Sequence, residues 1–234
     1  MTGLALAGPI GVPAAARLLV LMLVVAVMAG CASRPPRIGA DSASLAAQSE
    51  REARLDDLTE WSLTGRIALA GRSGGGNGRI EWHQRGDDFV IVLSTPVSRQ
   101  SWRLIRSDGW VRLQGLDDGD LEGPDAERLL ADATGWSIPF DQLVHWLLGR
   151  RGPGPAALEF APDGLPALLT QAGWTIDYRD WWRDPEPALP AKVFAHRGQE
   201  RVRLLIERWQ RGDPDDRTGS VGAMIDLEPD AGRK

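Results

Sequence analysis

The only thiol of the chain, Cys31, stands where a thiol has a specific chemical use. Leu18 to Ala29 (LLVLMLVVAVMA) form an apolar run with a single preceding charge, Arg17. A bilayer span needs about 20 apolar residues, so this run is too short to cross comfortably and fits the apolar region of a secretory signal. Ala29-Gly30 directly before Cys31 make a lipobox-like ending, at which lipid is attached to the thiol before cleavage. An exported domain with one cysteine cannot close an internal disulfide. The thiol therefore needs another use, and lipidation supplies one. A short membrane anchor that happens to end in Cys is the alternative, and the length of the run argues against it.

Other groups that look reactive lack the context their chemistry requires. Gly71-Arg72-Ser73-Gly74-Gly75 matches G-x-S-x-G, yet that motif needs a strand before the serine and a helix after it. Here loop residues and a second strand follow, so a Gly-rich hairpin turn accounts for the segment. His83, His145 and His196 are far apart and lack metal-ligand spacing. Asp87-Asp88 and Asp117-Asp118 read as turn residues, not as an acid/base pair. No glycine run leads into Lys-Ser or Lys-Thr, as a phosphate loop would. No catalytic residue, metal or cofactor is expected, and the chain is not expected to be an enzyme.

The elements that surround these residues are read from period and punctuation. The chain carries 27 Lys+Arg against 32 Asp+Glu, net −5, and loss of residues 1–30 removes only Arg17. Nothing resembles the basic patch that nucleic acid needs. Residues 31–44 are expected as a lipidated tether, residues 45–210 as one domain and residues 211–234 as a disordered tail. Ser42 to Leu58, free of Gly and Pro, reads as a helix with a thin apolar stripe at Leu45, Ala46, Leu55 and Leu58. Trp61 to Ala70 alternates as a strand, and Gly78–Gln84, Phe89–Ser94, Gln100–Arg106 and Trp110–Gln114 continue an antiparallel meander. The period then lengthens. Ala126, Leu129, Leu130 and Ala133 predict one helix, and Phe140, Leu143, Val144 and Leu147 a second, closed by Gly149. In the second, Trp146 and Leu148 widen the apolar face beyond an ordinary core stripe.

Strands resume over Leu165–Gln171, Trp174–Tyr178, Ala191–His196 and Arg201–Gln210. The expected fold is mainly β with α: a long antiparallel sheet that curls, interrupted by two amphipathic helices, which makes a half-barrel with a lid. Ten Trp beside one Tyr and four Phe suit either a wide apolar lining or a Trp-rich core.

Four stretches resemble one known family, LolB: Thr64-Gly65-Arg66, Arg79 to Ser98, Gly135 to Gly149 (GWSIPFDQLVHWLLG), and Pro187 to Trp209. The Ile-Pro followed by Leu-x-x-Trp-Leu-Leu-Gly is the most specific of them. The resemblance implies an unclosed antiparallel half-barrel of about eleven strands with a helical lid. It implies an outer-membrane lipoprotein, lipid-anchored on the periplasmic face, that receives acylated lipoprotein cargo from the periplasmic carrier LolA and inserts it into outer-membrane lipid. A monomer is expected. Ala32 and Ser33 after the cysteine, without the Asp that commonly retains lipoproteins in the inner membrane, agree with that destination. The resemblance also places a membrane-delivery loop at Pro96-Val97, with Val and Ser98 where the family usually has Leu and Gly; an ordinary Pro-initiated turn is the alternative. Trp136, Ile138, Phe140, Leu143, Trp146 and Leu147 are expected to line an acyl-chain cavity and its lid. A lipid-binding lipoprotein for another amphiphile, and a structural lipoprotein without a ligand, are the competing classes.

Overall fold

The computed structural model of the protein describes residues 36–71, 74–95, 101–135 and 137–212; Cys31, Pro96, Val97 and Trp136 lie outside them. The described chain opens with strand β1 (Ile38–Gly39) and helix α1 (Ser42–Asp56). The meander follows as β2 (Glu60–Gly71), β3 (Gly74–Arg85), β4 (Asp88–Ser94), β5 (Ser101–Ser107), β6 (Trp110–Gln114) and β7 (Leu121–Gly123). Helices α2 (Ala126–Thr134) and α3 (Phe140–Leu147) interrupt it. The chain then returns through β8 (Ala156–Phe160), β9 (Pro166–Gln171), β10 (Trp174–Trp182), β11 (Leu189–Arg197) and β12 (Glu200–Arg211). All twelve strands join one antiparallel sheet in the order β1-β8-β9-β10-β11-β12-β2-β3-β4-β5-β6-β7. β12 pairs with β2, so the two meanders fuse into one surface, while β1 and β7 remain unjoined and the half-barrel is unclosed. Its edge strands are two and three residues long, which limits the unpaired backbone offered to other chains.

Three strands escape a reading by alternation. β1 and β7 are too short to show a period, and β8 begins Ala-Ala, which has little strand propensity. The tether expected over residues 31–44 is docked from Arg37 onward. Ile38 pairs with Phe160 and Gly39 with Glu159, and Arg37 reaches the buried Asp177 carboxylate at 3.1 Å. α1 starts at Ser42 because Asp41 caps it. The Asp41 carboxylate accepts from the Ser44 N–H (2.8 Å), and the Asp41 N–H donates to Ser44 Oγ (3.0 Å). These bonds hold the Asp41 carboxyl below its usual range. β2 and β3 form a hairpin with Gly71 opposite Gly74, and no helix follows residues 71–75, in line with the turn reading of that segment.

Alternation sorts each strand into a concave and a convex side. On β2 the concave set is Trp61, Leu63, Gly65, Ile67 and Leu69, and Trp61 and Leu63 are 2% and 1% exposed. Two bulges correct the phase further on. The register slips between Ile206 and Arg208 on β12, which places Trp209 on the side already occupied by Leu204 and Ile206. The register of β10 shifts after Tyr178, and Trp181 then packs beside the Tyr178 ring at 5.3 Å. An extra residue in one strand flips every later side chain, so the bulges keep aromatic residues facing the interior. Gly65 is required on β2. A Cβ there would meet the Leu205 carbonyl oxygen at 2.3 Å, a close backbone approach at a bend of the sheet.

Candidate functional site

The concave side has a dense floor of aromatic rings. Trp61 lies 5.7 Å from Trp82 and 5.3 Å from Trp209, and Trp82 lies 6.0 Å from Phe89. The N–H of Trp82 is taken by Gln84 (2.9 Å) and that of Trp209 by the Pro190 carbonyl (2.8 Å). This is how indoles are buried without orphaning a donor. α3 lies on this floor. At its first residue Phe140 stacks on Phe89 at 5.7 Å; near its end Trp146 packs on Trp174 at 6.2 Å and donates to Gln171 Oε1 at 2.9 Å. Contacts with β3 and β4 at one end and with β9 and β10 at the other make α3 a crossbar over the concave side.

Side-chain bonds to backbone carbonyls are concentrated at the C-terminal end of that crossbar. The last four carbonyls of a helix lack intrahelical partners, and here other elements supply them. Arg51 of α1 donates to the carbonyls of Leu148 (2.9 Å), Gly149 (2.8 Å) and Ala188 (2.6 Å), with its guanidinium 4.9 Å from the centre of the Trp181 ring. Gln48 adds a bond to Gly149 (3.2 Å), and the Tyr178 hydroxyl donates to the Trp146 carbonyl (2.9 Å). Burial pushes the Arg51 guanidinium down to about 10 and the Tyr178 hydroxyl far up. Gln48, Arg51 and Leu55 are the buried face of α1. The apolar stripe expected there is corrected in part: Leu55 is buried and Leu58 packs against the core, but Leu45 and Ala46 are exposed, and Gln48 and Arg51 are buried because they cap another helix. The first turn of α3 has no side-chain cap, since Pro139 precedes it, and is held instead by an Arg106–Asp141 pair at 3.6 Å and a Gln142 bond to the Pro153 carbonyl at 3.1 Å.

Around the floor runs a belt of apolar side chains that the fold leaves half-covered. The helices contribute Leu130 and Ala133 from α2 and Leu143 and Val144 from α3, with Ile138 between them. The sheet contributes Ile67, Leu93, Trp102, Ala195 and Val202. Cross-strand pairing makes part of this belt continuous: Ala195 faces Val202, Val202 faces Leu69, and Leu93 faces Trp102. Arg197 stands one alternate position beyond Ala195. It donates to the Ser137 carbonyl at 2.9 Å, bonds Glu200 and lies 5.0 Å over the Trp174 ring, which ties the sheet to the α2–α3 connection. His145 on α3 is half-buried. Burial and the nearby Arg150 lower its basicity below the usual imidazole value.

The expected lining residues thus divide. Phe140, Trp146 and Leu147 are 7%, 2% and 3% exposed and belong to the packed floor, whereas Ile138 and Leu143 belong to the half-covered belt. Trp136, Cys31, Pro96 and Val97 lie outside the described residues. Reading the helices missed the sheet half of the belt and the capping role of Gln48 and Arg51. The alternation of β2, β4, β11 and β12 carried the first signal; nothing in the sequence of α1 carried the second.

An unclosed sheet with an apolar concave face, an aromatic floor and short amphipathic helices across it defines a half-barrel of the kind that shelters apolar ligands. Residues 59–209, more than half of the chain, match the family described as outer membrane lipoprotein LolB. A relative from Xanthomonas axonopodis pv. citri, named outer-membrane lipoprotein LolB, is 38% identical over 80% of this chain and 93% of its own length. A protein of the same name from Xylella fastidiosa is 35% identical over 81% of this chain and 91% of its own length. The chain belongs to the LolB family of outer membrane lipoproteins. Among solved structures, a LolA superfamily protein from Nitrosomonas europaea covers 74% of this chain and 96% of its own, with 10% identity and a TM-score of 0.47. At that TM-score the likeness does not bear on what this chain does. No helix among the described residues is long and apolar enough to cross a membrane.

Proposed function

We propose that the chain is anchored by lipid at Cys31 to the periplasmic face of the outer membrane, accepts acylated lipoproteins from the periplasmic carrier LolA, and releases them into outer-membrane lipid. Besides family membership, the half-covered apolar belt carries this reading. Each CH₂ of an acyl chain withdrawn from water is worth about 0.8 kcal/mol, so an acylated protein crosses an aqueous space only within an apolar shelter. Leu130, Ala133, Ile138, Leu143 and Val144 on the helical side, with Ile67, Leu93, Trp102, Ala195 and Val202 on the sheet side, offer such a surface beside a rigid floor. Phe140, Trp146 and Leu147 support the floor, and Trp136 is assigned to the same lid. Catalysis has no part in this reading. A binding surface that holds acyl chains more tightly than the carrier, but less tightly than a bilayer, drives the handover downhill. Pro96-Val97 is assigned to membrane contact during release; a single Val contributes only about 1.5–3 kcal/mol when buried, which leaves the anchoring to the lipid on Cys31.

A two-step assay with carrier-bound lipoprotein, the lipidated chain and liposomes tests the reading. Leu143→Asn should impair acceptance while costing little stability, because Leu143 is only partly covered. Val97→Glu should leave acceptance intact and slow release, because a charge resists entering the interface. If the unaltered chain takes no cargo from the carrier, the transfer role is wrong. If Val97→Glu affects both steps equally or neither, the loop has no separate part in delivery.

A further inference from the structure

The convex side of the sheet carries a concentration of positive charge that the interior chemistry does not use. Pairing aligns it in adjoining rows. In one row Lys192 faces Leu205, Leu205 faces Arg66, and Arg66 faces Arg79, which itself faces Ser94. In the next outward-facing row Phe194 faces Arg203, and in the one beyond His196 faces Arg201. These positions alternate with Ile67, Leu69, Val202 and Leu204 of the concave side, so all five cations project outward. Four carboxylates lie among them: Asp180 opposite Lys192, Glu81 at the next outward position after Arg79 on β3, Glu207 and Asp177. Glu207 bridges Arg66 (2.8 Å) and Arg79 (3.2 Å), and the buried Asp177 is held by Arg37 (3.1 Å) and Arg179 (3.0 Å). Glu207 and Asp177 are each outnumbered by their own partners, and Arg37, Arg66, Arg79, Arg179, Lys192, Arg201 and Arg203 together outnumber the four carboxylates. Arg66 and Arg79 keep 63% and 57% of their side chains exposed, and Lys192, Arg201 and Arg203 form no ion pair among the described residues. The strip is cationic on a chain whose net charge is −5. Compensating acid lies elsewhere: the stretch from Asp117 to Asp132 holds seven carboxylates against Arg128 alone.

We propose that this strip docks the convex side onto an anionic phospholipid surface. A specific protein partner is recognised through a desolvated core of anchoring side chains. Here the large apolar groups between the cations are Leu205 and Phe194, and two guanidiniums, Arg179 at 4.1 Å and Arg203 at 5.4 Å, lie over the Phe194 ring. A spread of separate cations without a groove suits a diffuse sheet of headgroup charge. The inference takes the lipid at Cys31 as given, since the anchor keeps the membrane always within reach. With the anchor tying the chain to the bilayer, the strip would set which side faces it. Each basic residue at an anionic surface favours the docked orientation about fivefold.

Lys192 makes the orientation measurable, because the only other lysine of the chain is Lys234. The lipidated full chain is placed in vesicles of phosphatidylethanolamine alone or with phosphatidylglycerol, and acetylation of Lys192 is timed by mass spectrometry. The expected result is acetylation several-fold slower in the anionic vesicles, with the difference abolished at about 1 M salt, where the screening length falls to about 3 Å. Arg201→Gln with Arg203→Gln should remove the protection, and Arg201→Lys with Arg203→Lys should restore it, which separates charge from a loss of fold. Equal acetylation in both vesicle types overturns the proposal, as does protection that appears only on adding the carrier protein. Flotation of the chain with the vesicles reports the anchor separately, so failure of the strip and failure of the anchor are distinguishable.

Discussion

Replacing Arg51 by Met tests whether α1 exists to hold the end of the crossbar helix. Arg51 is 5% exposed and serves the carbonyls of Leu148, Gly149 and Ala188. Met nearly fills the same volume and donates nothing, so water has little room to replace the guanidinium. Gly149 retains its bond from Gln48, whereas the Leu148 and Ala188 carbonyls lose their side-chain donor. An orphaned buried carbonyl costs about 1–3 kcal/mol, so two cost roughly 2–6 kcal/mol. Loss of the contact with Trp181 adds about 1 kcal/mol. Against this, the variant no longer buries a charge. The fall of the guanidinium from 12.5 to about 10 puts that relief at roughly 3 kcal/mol. The net expectation is a destabilisation of roughly 0–4 kcal/mol, centred near about 2, read as a lower urea midpoint with an unchanged slope. Amides at Gly149 and Arg150, bonded to Trp146 and His145, should exchange faster as well. Arg54→Met on the same helix is the control, because Arg54 is exposed. A loss no larger than that of the control, with no faster exchange at Gly149 and Arg150, would refute the idea that Arg51 secures α3.

Two other outcomes follow from the same geometry. Gly149→Ala should destabilise by more than about 2 kcal/mol in thermal unfolding, since φ is 67° and a Cβ would lie 2.4 Å from the Trp181 ring; Gly154→Ala, at φ 96° with open space around it, should cost less. His83 and His145 are each held below the usual imidazole basicity, first of all by burial. Below the unfolded value of about 6.5 the unfolded chain then binds more protons than the folded one, so stability falls as the pH drops from 7.5 to 5. Unfolding across that range should show a shallower fall for His83→Gln with His145→Gln than for the unaltered chain, and an unchanged slope would dismiss the two imidazoles as its source.

The parts of the fold legible from sequence were those in which one segment carries its own signal. The period-2 pattern of β2 and the period-3.6 pattern of α2 and α3 each record a single boundary between water and core. Phe140, Trp146 and Leu147 fall on such a pattern, and they lie inside. Whether a buried apolar residue is floor or binding surface is a different matter, because it depends on what stands opposite. Leu143 and Leu147 are alike in type and sit one turn apart, yet Leu147 is sealed and Leu143 half-covered. The difference comes from the sheet, which turns from Trp and Phe near Trp61 to smaller residues such as Ala195 and Val202 near Arg201. Arg51 was illegible for the same reason. A charged residue in a helix rich in Ala and Glu reads as solvated, and only the arrival of three carbonyls from residues 148, 149 and 188 makes its burial tolerable. The convex cations show the converse case. Arg66, Arg79, Lys192, Arg201 and Arg203 are separated by up to 137 positions in sequence, so no single window of the chain contains the strip. They become a strip because β12 pairs with β2, the one junction that joins the two meanders. That pairing also continues the apolar belt from Ala195 and Val202 to Leu69, so a single contact between distant strands sets both the interior surface and the charge on its outer side.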